Sequence, residues 1–291
     1  MIKKILNENA KKTDIFLKKY LEKQAFSDLI SPMKYGSLSG GKKIRSSVVL
    51  GAGKLFNISA VKLLNVCAAV ECIHSYSLIH DDLPCMDDDK IRRGKPSTHI
   101  KFGESTAILA GNSLLTLAFE MIVDKNYKIE NKAKIELVKS LAHCSGHVGI
   151  AGGQYFDLNF EKKKKFFTDI LDMQRKKTGK LFNFCFYAVG VIAKKKKREL
   201  KSLSKLGEDI GLLFQFADDF IDIKGSKKLA GKSIKKDQKK GKSTLIALIG
   251  YEKAYLYANK LKKNILSKLS KHGKKADNLI NTVEFILERN F

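Results

Sequence analysis

Two acidic clusters interrupt a chain otherwise dominated by lysine. The first runs Asp81-Asp82, then Leu-Pro-Cys-Met, then Asp87-Asp88-Asp89, with Arg92 and Arg93 just behind it. The second is Gln215, Asp218, Asp219 and Asp222, whose spacings of three, four and seven residues put all four on one helical face. On an unbroken helix Asp81 and Asp87 would stand about 600° apart in azimuth and face apart. Pro84 removes a helix hydrogen bond and bends the chain, which folds Asp87 back toward Asp81. Carboxylates four apart on a helix repel by about 0.2–0.5 kcal/mol when exposed and by more when partly buried, so a cation is expected to offset them. Oxygen-only ligands with no His or Cys beside them suit Mg²⁺, which bridges to phosphates. Two carboxylate walls facing across a helical interior would hold several Mg²⁺ around one diphosphate and stabilise it as a departing group. An apolar, water-poor cavity below them would accept a hydrocarbon. Taken alone, the second cluster reads equally well as a solvated acidic patch or a helix cap.

A second anion needs cations at matching places. Lys42 and Arg45 open the second predicted helix, Arg92 and Arg93 follow the first cluster, and His74 lies seven residues before Asp81 on the same helical face. One lysine among 56 basic residues is more often a solvated surface charge, and a histidine in an apolar helix is more often a satisfied core residue than a ligand. Position relative to the acidic motif raises these five above that background. The stretch from Gly36 to Lys42 mimics a phosphate-binding loop, but Lys43 stands where Ser or Thr should be and no strand precedes it. Gly231-Lys232-Ser233 and Gly241-Lys242-Ser243 lack the first glycine, so a P-loop NTPase is excluded.

The elements that must position these residues are helical. The 291 residues are 44% hydrophobic, with only three prolines (Pro32, Pro84, Pro96), which disfavours all-β and βαβ architectures. Periodicity predicts helices over roughly 2–24, 41–56, 104–124, 132–153, 166–193, 199–223, 243–270 and 275–289, with a loop between the first two. A buried helix is predicted from an N-cap at Ser59 to Asp82. Residues 224–242 carry nine lysines and three glycines and read as a mobile loop, a lid over the second cluster. No linker appears, so residues 1–291 read as a single all-α domain. The net charge of +26, 56 basic minus 30 acidic residues, is spread along the whole chain rather than gathered in a stripe, which argues against nucleic acid and against stable membrane association. Five cysteines without a CxxC pair suit a reducing compartment, taken as the cytoplasm. The N-terminus has no apolar signal core, and the most apolar stretch, Leu181 to Ala193, is too short to span a bilayer.

The segment VECIHSYSLIHDDLPCMDDDKIRRGKPSTH resembles the bacterial short-chain trans-isoprenyl diphosphate synthases. The resemblance extends to GGKKIR upstream and to Lys177-Thr178-Gly179, FQFADDFID and DQKKGKST downstream. It is nearest to members that make farnesyl diphosphate. It implies an isoprenoid-synthase (class I terpenoid synthase) helical bundle around a central cavity, usually a homodimer, with three Mg²⁺ per active site. The implied activity is condensation of isopentenyl diphosphate with dimethylallyl or geranyl diphosphate, giving farnesyl diphosphate and pyrophosphate. Asp81, Asp87 and Asp218 would be the main metal ligands, with Asp82 and Asp222 supporting. Lys42, Arg45, His74 and Arg93 would bind isopentenyl diphosphate, and Arg92, Lys177 and Lys232 the allylic diphosphate. Thr178, Gln215 and the backbone carbonyl of Lys177 would face the allylic cation.

Tyr76 and Ser77, five and four residues before Asp81, would set product length, since a chain growing from Asp81 must extend toward the helix N-terminus. The competing reading of Tyr76 is a core aromatic. Three departures from the family pattern stand out: Ser46 for the proline after the GGKxxR arginine, Ala217 for a second glutamine, and Leu245-Ile246 for an aromatic-proline pair. The alternatives are a geranylgeranyl diphosphate synthase, a class I terpene cyclase, a partner subunit without catalysis, and a basic nucleic-acid-binding protein. A cyclase would normally carry an Asn/Ser/Glu motif in place of Asp218 to Asp222, and a dead subunit should have lost motif aspartates.

Overall fold

Apolar residues at a spacing of three and four, Leu6, Ala10, Leu17 and Leu21, bury one stripe of the first helix, α1 (Ile2–Glu22). The computed structural model describes residues 2–160, 166–229 and 245–288. Contacts divide the chain into two compact units, Met1–Leu141 with Ala188–Lys195, and Ala142–Tyr187 with Lys196–Phe291. Each is helical and has its own core.

The first unit begins with α1, α2 (Ile30–Leu38), α3 (Ile44–Leu55), a 3-10 turn over Val61–Leu63, and α4 (Leu64–Asp81). A two-stranded antiparallel hairpin follows, β1 (Ile91–Arg92) and β2 (Lys95–Pro96), then α5 (Thr98–Phe102), α6 (Glu104–Val123) and α7 (Asn131–Ser145), which passes into the second unit at Ala142. Helix α4 carries nine consecutive buried residues, Asn65 to Ile73, because it packs on α1, α2, α3 and α6. Ala68 and Ala69 let those neighbours approach closely. Such an all-round core helix fixes its own azimuth, so the residues at its C-terminal end are placed rigidly.

The second unit contains α8 (Ile150–Phe160), α9 (Phe167–Gln174), a π-helical turn over Arg175–Gly179, and α10 (Lys180–Ile192), whose last residues return to the first unit. Helix α11 (Lys197–Leu229) packs on the π turn, and α12 (Leu245–Ile249), α13 (Tyr251–Ser270) and α14 (Asp277–Glu288) complete the unit. Phe182, Phe184, Phe186 and Phe216 are fully buried at its centre.

Several boundaries differ from the sequence reading. The predicted loop before residue 41 contains α2, which tolerates Pro32 because the ring falls in the first turn, where no amide partner is lost. Helix α3 starts three residues late, at Ile44, because Gly40, Gly41 and Lys43 all have positive φ. Ser59 does not cap α4; its carbonyl accepts from Lys62 in the 3-10 turn that precedes the helix. The predicted 132–153 helix breaks between Ser145 and Ile150, and the 243–270 helix breaks at Gly250, with φ of 82°. Residues 224–229, predicted as loop, continue α11; residues 230–242 of the predicted lid lie outside the described residues. Among the described residues one helix, α6, is long and apolar enough to cross a membrane, by length and composition alone.

Candidate active site

At the end of α4 the chain turns back on itself. Leu83 N–H donates to His80 C=O at 3.1 Å and Met86 N–H to Leu83 C=O at 2.9 Å. Asp87 N–H then donates to Asp81 C=O at 2.9 Å, and Asp89 N–H to Asp82 C=O at 3.2 Å. Pro84 sits inside this reversal, where its missing amide costs no helix bond. The backbone of Asp87 therefore abuts that of Asp81. Asp82 points another way: it is buried, and Arg92 donates to it through Nε at 2.9 Å and through Nη2. Burial pushes the Asp82 carboxyl up and the Arg92 bond pulls it down, with burial the larger.

The hairpin directs two consecutive arginines to different partners. Its turn residues, Arg93 and Gly94, have φ of 55° and 73°, the pattern of a type I′ turn. Arg92 serves Asp82 and Asp89, whereas Arg93 Nη1 donates to Gly40 C=O. A Cβ on Gly41 would stand 2.7 Å from Arg93 Cζ, so only glycine lets the guanidinium lie on this loop. Burial lowers the Arg93 pKa, and the neighbouring charge of Arg92 adds to that.

His74 is half-buried on α4, and its pKa falls well below the ordinary imidazole value. Burial is the main cause, followed by the charges of Arg45, Arg93, Lys43 and Arg92. The imidazole is consequently neutral at pH 7, set among four cations. Lys42 is half-exposed at the same loop. Thus Arg45 and Arg93 act on His74, two helical turns before Asp81 on α4, while Arg92 lies at the Asp82 end.

Tyr76 meets His80 edge-on, with centroids 5.1 Å apart and planes at 83°. His80 Nε2 lies 3.1 Å from Ile108 C=O, and a Cβ on Gly111 would fall 2.3 Å from that nitrogen, so α6 holds the pair from behind. The Tyr76 hydroxyl is raised by burial and by the charge of Asp81. Ser77 Oγ donates to His74 C=O at 2.9 Å, within its own helix.

In the second unit the π turn presents Lys177 and Thr178. A Cβ on Gly153 of α8 would stand 2.2 Å from Lys177 N, so this glycine lets α8 pack directly on the π backbone. Lys177 Nζ pairs with Asp157 Oδ2 at 2.5 Å, one helical turn beyond Gly153. Thr178 Oγ1 donates to Gln215 Oε1 at 2.9 Å. Asp219, buried, accepts from Gln215 Nε2 and from Gln174 Nε2, each at 3.0 Å. A carboxylate only accepts, so Asp219 fixes the amide with its oxygen toward Thr178. The hydroxyl proton of Thr178 is committed there, leaving its lone pairs for an electron-poor neighbour. Asp218, on the adjoining part of the α11 surface, is half-buried. The Asp222 side chain and Lys232 lie outside what is described.

Sequence reasoning missed Asp157 and Gln174. Gln174 was detectable as a polar residue on the buried face of α9 beside Ile170 and Met173, but Asp157 carried no local signal. Among the described residues no group of three or more His, Cys, Asp or Glu gathers into a ready metal cage. Asp81, Asp87 and Asp218 offer oxygen donors alone, which fits Mg²⁺, an ion that takes one or two carboxylates with waters and substrate phosphates.

Comparison with known proteins gives the family and the fold. The polyprenyl synthetase family model aligns with residues 27–283. The farnesyl diphosphate synthase of Escherichia coli is 40% identical over 267 residues, 90% of this chain and 89% of the relative. A solved FPP/GFPP synthase from Zymomonas mobilis superposes with a TM-score of 0.87 at 36% identity, covering 98% of both chains. A geranyltransferase from Legionella pneumophila gives 0.88 at 30% identity, covering 99% of this chain and 97% of that one. The all-α architecture is the isoprenoid-synthase fold. With the motifs, the helices that carry them and the match over most of its length in agreement, the chain belongs to the polyprenyl synthetase family.

Proposed function

We propose that this chain is a Mg²⁺-dependent prenyltransferase that joins isopentenyl diphosphate to dimethylallyl or geranyl diphosphate and releases farnesyl diphosphate and pyrophosphate. The observation that carries the reading is the placing of His74, with Arg45 and Arg93 near it, on the helix whose last residue, Asp81, accepts the Asp87 backbone turned back onto it. A diphosphate anion is the complement of that cation set, and a metal-bound diphosphate is the complement of Asp81 and Asp87. The seven-residue spacing separates the two by about 10 Å along α4.

Lys42, Arg45, His74 and Arg93 hold isopentenyl diphosphate. Arg92 and Lys177, with Lys232, hold the allylic diphosphate. Asp81 and Asp87, and Asp218 with Asp222, are assigned to Mg²⁺, three ions in all; Asp82 supports them through its bond to Arg92 rather than as a ligand. Bound Mg²⁺ supplies charge stabilisation to the departing pyrophosphate. The C1–O bond of the allylic substrate breaks with its electron pair leaving on pyrophosphate. The isopentenyl double bond then forms the new C–C bond, and a C2 proton leaves to the released pyrophosphate. Thr178 Oγ1, Gln215 and the Lys177 carbonyl face the transient allylic cation, in an orientation supported by the Asp219 bonds. Tyr76 and Ser77 limit product length.

We take residues 1–291 as one catalytic domain, because the family match spans both units. A second copy of the chain is assigned to the outer face of α6, where Ile108 and Leu109 are 41% and 53% exposed. The cytoplasm is assigned as the compartment, since five cysteines without a CxxC pair suit a reducing environment. The test is incubation with isopentenyl and geranyl diphosphates plus Mg²⁺ and identification of the product by mass spectrometry. A fifteen-carbon diphosphate is expected, and absence of any condensation product overturns the reading.

A further inference from the structure

The GGKKIR loop contains two interleaved pairs three residues apart. Lys42 and Arg45 are partly exposed, whereas Lys43 and Ser46 are buried. The inward pair converges on one carboxylate, Glu71 of α4, which is 1% exposed. Lys43 Nζ lies 3.8 Å from Glu71 Oε2 and 3.5 Å from Asp14 Oδ1 of α1, and donates to Ser37 C=O of α2 at 2.6 Å. Ser46 N–H and Oγ both donate to Glu71 Oε1, at 3.1 and 2.6 Å. One buried ammonium and one buried carboxylate thereby tie α1, α2, α3 and α4 together beneath the loop.

Lys43 adopts left-handed backbone angles, φ 44° and ψ 50°, which a side chain tolerates only when its surroundings hold it there. Glu71 and His74 are three residues apart on α4, so the lock and the cation cluster occupy one helix face, a single turn apart. The geometry points to Lys43 and Ser46 as positioning residues: by locking onto Glu71 they hold the loop in the conformation that presents Lys42 and Arg45 to isopentenyl diphosphate. This rests on the assignment of Lys42, Arg45 and His74 to that substrate. It also gives the Ser46 departure a role, since a proline has neither an amide proton nor a hydroxyl and would leave Glu71 Oε1 without both bonds.

The lock and a merely structural role differ in what they move. Removing a loop-positioning contact should raise KM for isopentenyl diphosphate while leaving kcat and KM for geranyl diphosphate near their original values. Ser46→Ala, which keeps the amide bond, should raise it severalfold. Ser46→Pro should raise it roughly tenfold or more, through loss of two bonds to a buried charge. Lys43→Arg should retain most of the affinity and Lys43→Met should not; Lys43→Met/Glu71→Gln removes the stranded charge and keeps the comparison usable if Lys43→Met fails to fold. Equal shifts in both KM values, or a lowered melting temperature with an unchanged isopentenyl diphosphate KM, overturn the proposal. Wild type that performs no condensation overturns the functional assignment instead, and calorimetric titration of isopentenyl diphosphate into wild type and Ser46→Pro then decides the lock: undiminished affinity in the variant refutes it.

Discussion

Arg92 grips Asp82 from ten residues away: Nε donates to Oδ1 at 2.9 Å and to Oδ2 at 3.3 Å, while Nη2 bonds Oδ1 and reaches Asp89 at 3.1 Å. The two adjacent motif aspartates thus have different jobs. Asp82→Asn should lower stability by about 1–3 kcal/mol in urea unfolding, less than for a fully buried pair because the Arg92 side chain is 35% exposed. Asp81→Asn should lower it by less, since Arg92 bonds Asp82 directly. Equal destabilisation by both would contradict the division.

Asp81→Asn and Asp218→Asn should each reduce kcat by roughly 10³-fold or more through lost charge stabilisation at the leaving group. Chelation should abolish turnover and Mg²⁺ restore it. Near-normal turnover in both variants would remove the metal assignment.

The amide of Gln215 is oriented by Asp219, and that orientation is testable. Asp219→Asn can donate as well as accept, so Gln215 can flip and present nitrogen to Thr178. The expected result is a fall in kcat of about 10-fold to 100-fold with geranyl diphosphate KM within a few-fold of wild type. Gln174→Leu, which removes the second bond to Asp219, should do the same more weakly. A change confined to KM would place Asp219 in substrate binding.

Product length should respond to Tyr76. Tyr76→Ala opens about one helical turn, 5.4 Å, near the length of an isoprene unit, and should shift product from fifteen toward twenty carbons. The edge contact to His80 adds a control: Gly111→Ala forces His80 off its site and should change the product ratio without touching Tyr76. An active Tyr76→Ala enzyme that still releases only the fifteen-carbon product excludes Tyr76 as the ruler.

Two groups make the protein sensitive to acid, with onsets at different pH. His74 titrates well below its ordinary 6.5 in the folded state, chiefly through burial, so the unfolded chain takes up a proton first. Stability therefore falls as pH drops below about 6.5, by up to about 1.4 kcal/mol per pH unit. Glu208 is pulled below 4.5 by Arg175 and Lys180, against the upward push of burial. Its contribution is present above about 4.5 and is lost as pH falls through the folded value. Thermal melts from pH 7 to 3 should show His74→Gln flattening the upper part of the decline and Glu208→Gln the lower.

Most of the motif chemistry was legible because it depends on local spacing. Helices such as α1, α4 and α6 carry long apolar periods; Asp81 ends α4, and Asp218 and Asp219 lie within α11 at helical spacing. The hairpin was not legible, since two residues per strand leave no alternation to read. Nor was α2, where Pro32 and Gly36 mask nine residues of helix that only packing stabilises. Lys42 and Lys43 look alike as letters; one lies partly open and the other is buried against Glu71, a distinction made by φ at Lys43 and by α1 and α4. Partners far apart in sequence, Lys177 with Asp157 or Gln174 with Asp219, have no local spacing to betray them.

The π turn at Arg175–Gly179 gives the segment from α9 to α10 one residue more than an α-helical path between the same end points would use. Deleting a single residue there would let the ladder close as ordinary α-helix at almost no backbone cost. The helices on either side would keep their register, but the residues of the turn would be drawn back onto an α-helical path. The aromatic face of α10 would stay in its core, while Thr178 would move away from Gln215 Oε1. In this stretch, chain length itself is under the same constraint as residue identity: point substitutions can be absorbed one at a time, whereas a one-codon gap would unseat an active-site hydroxyl and leave the core standing.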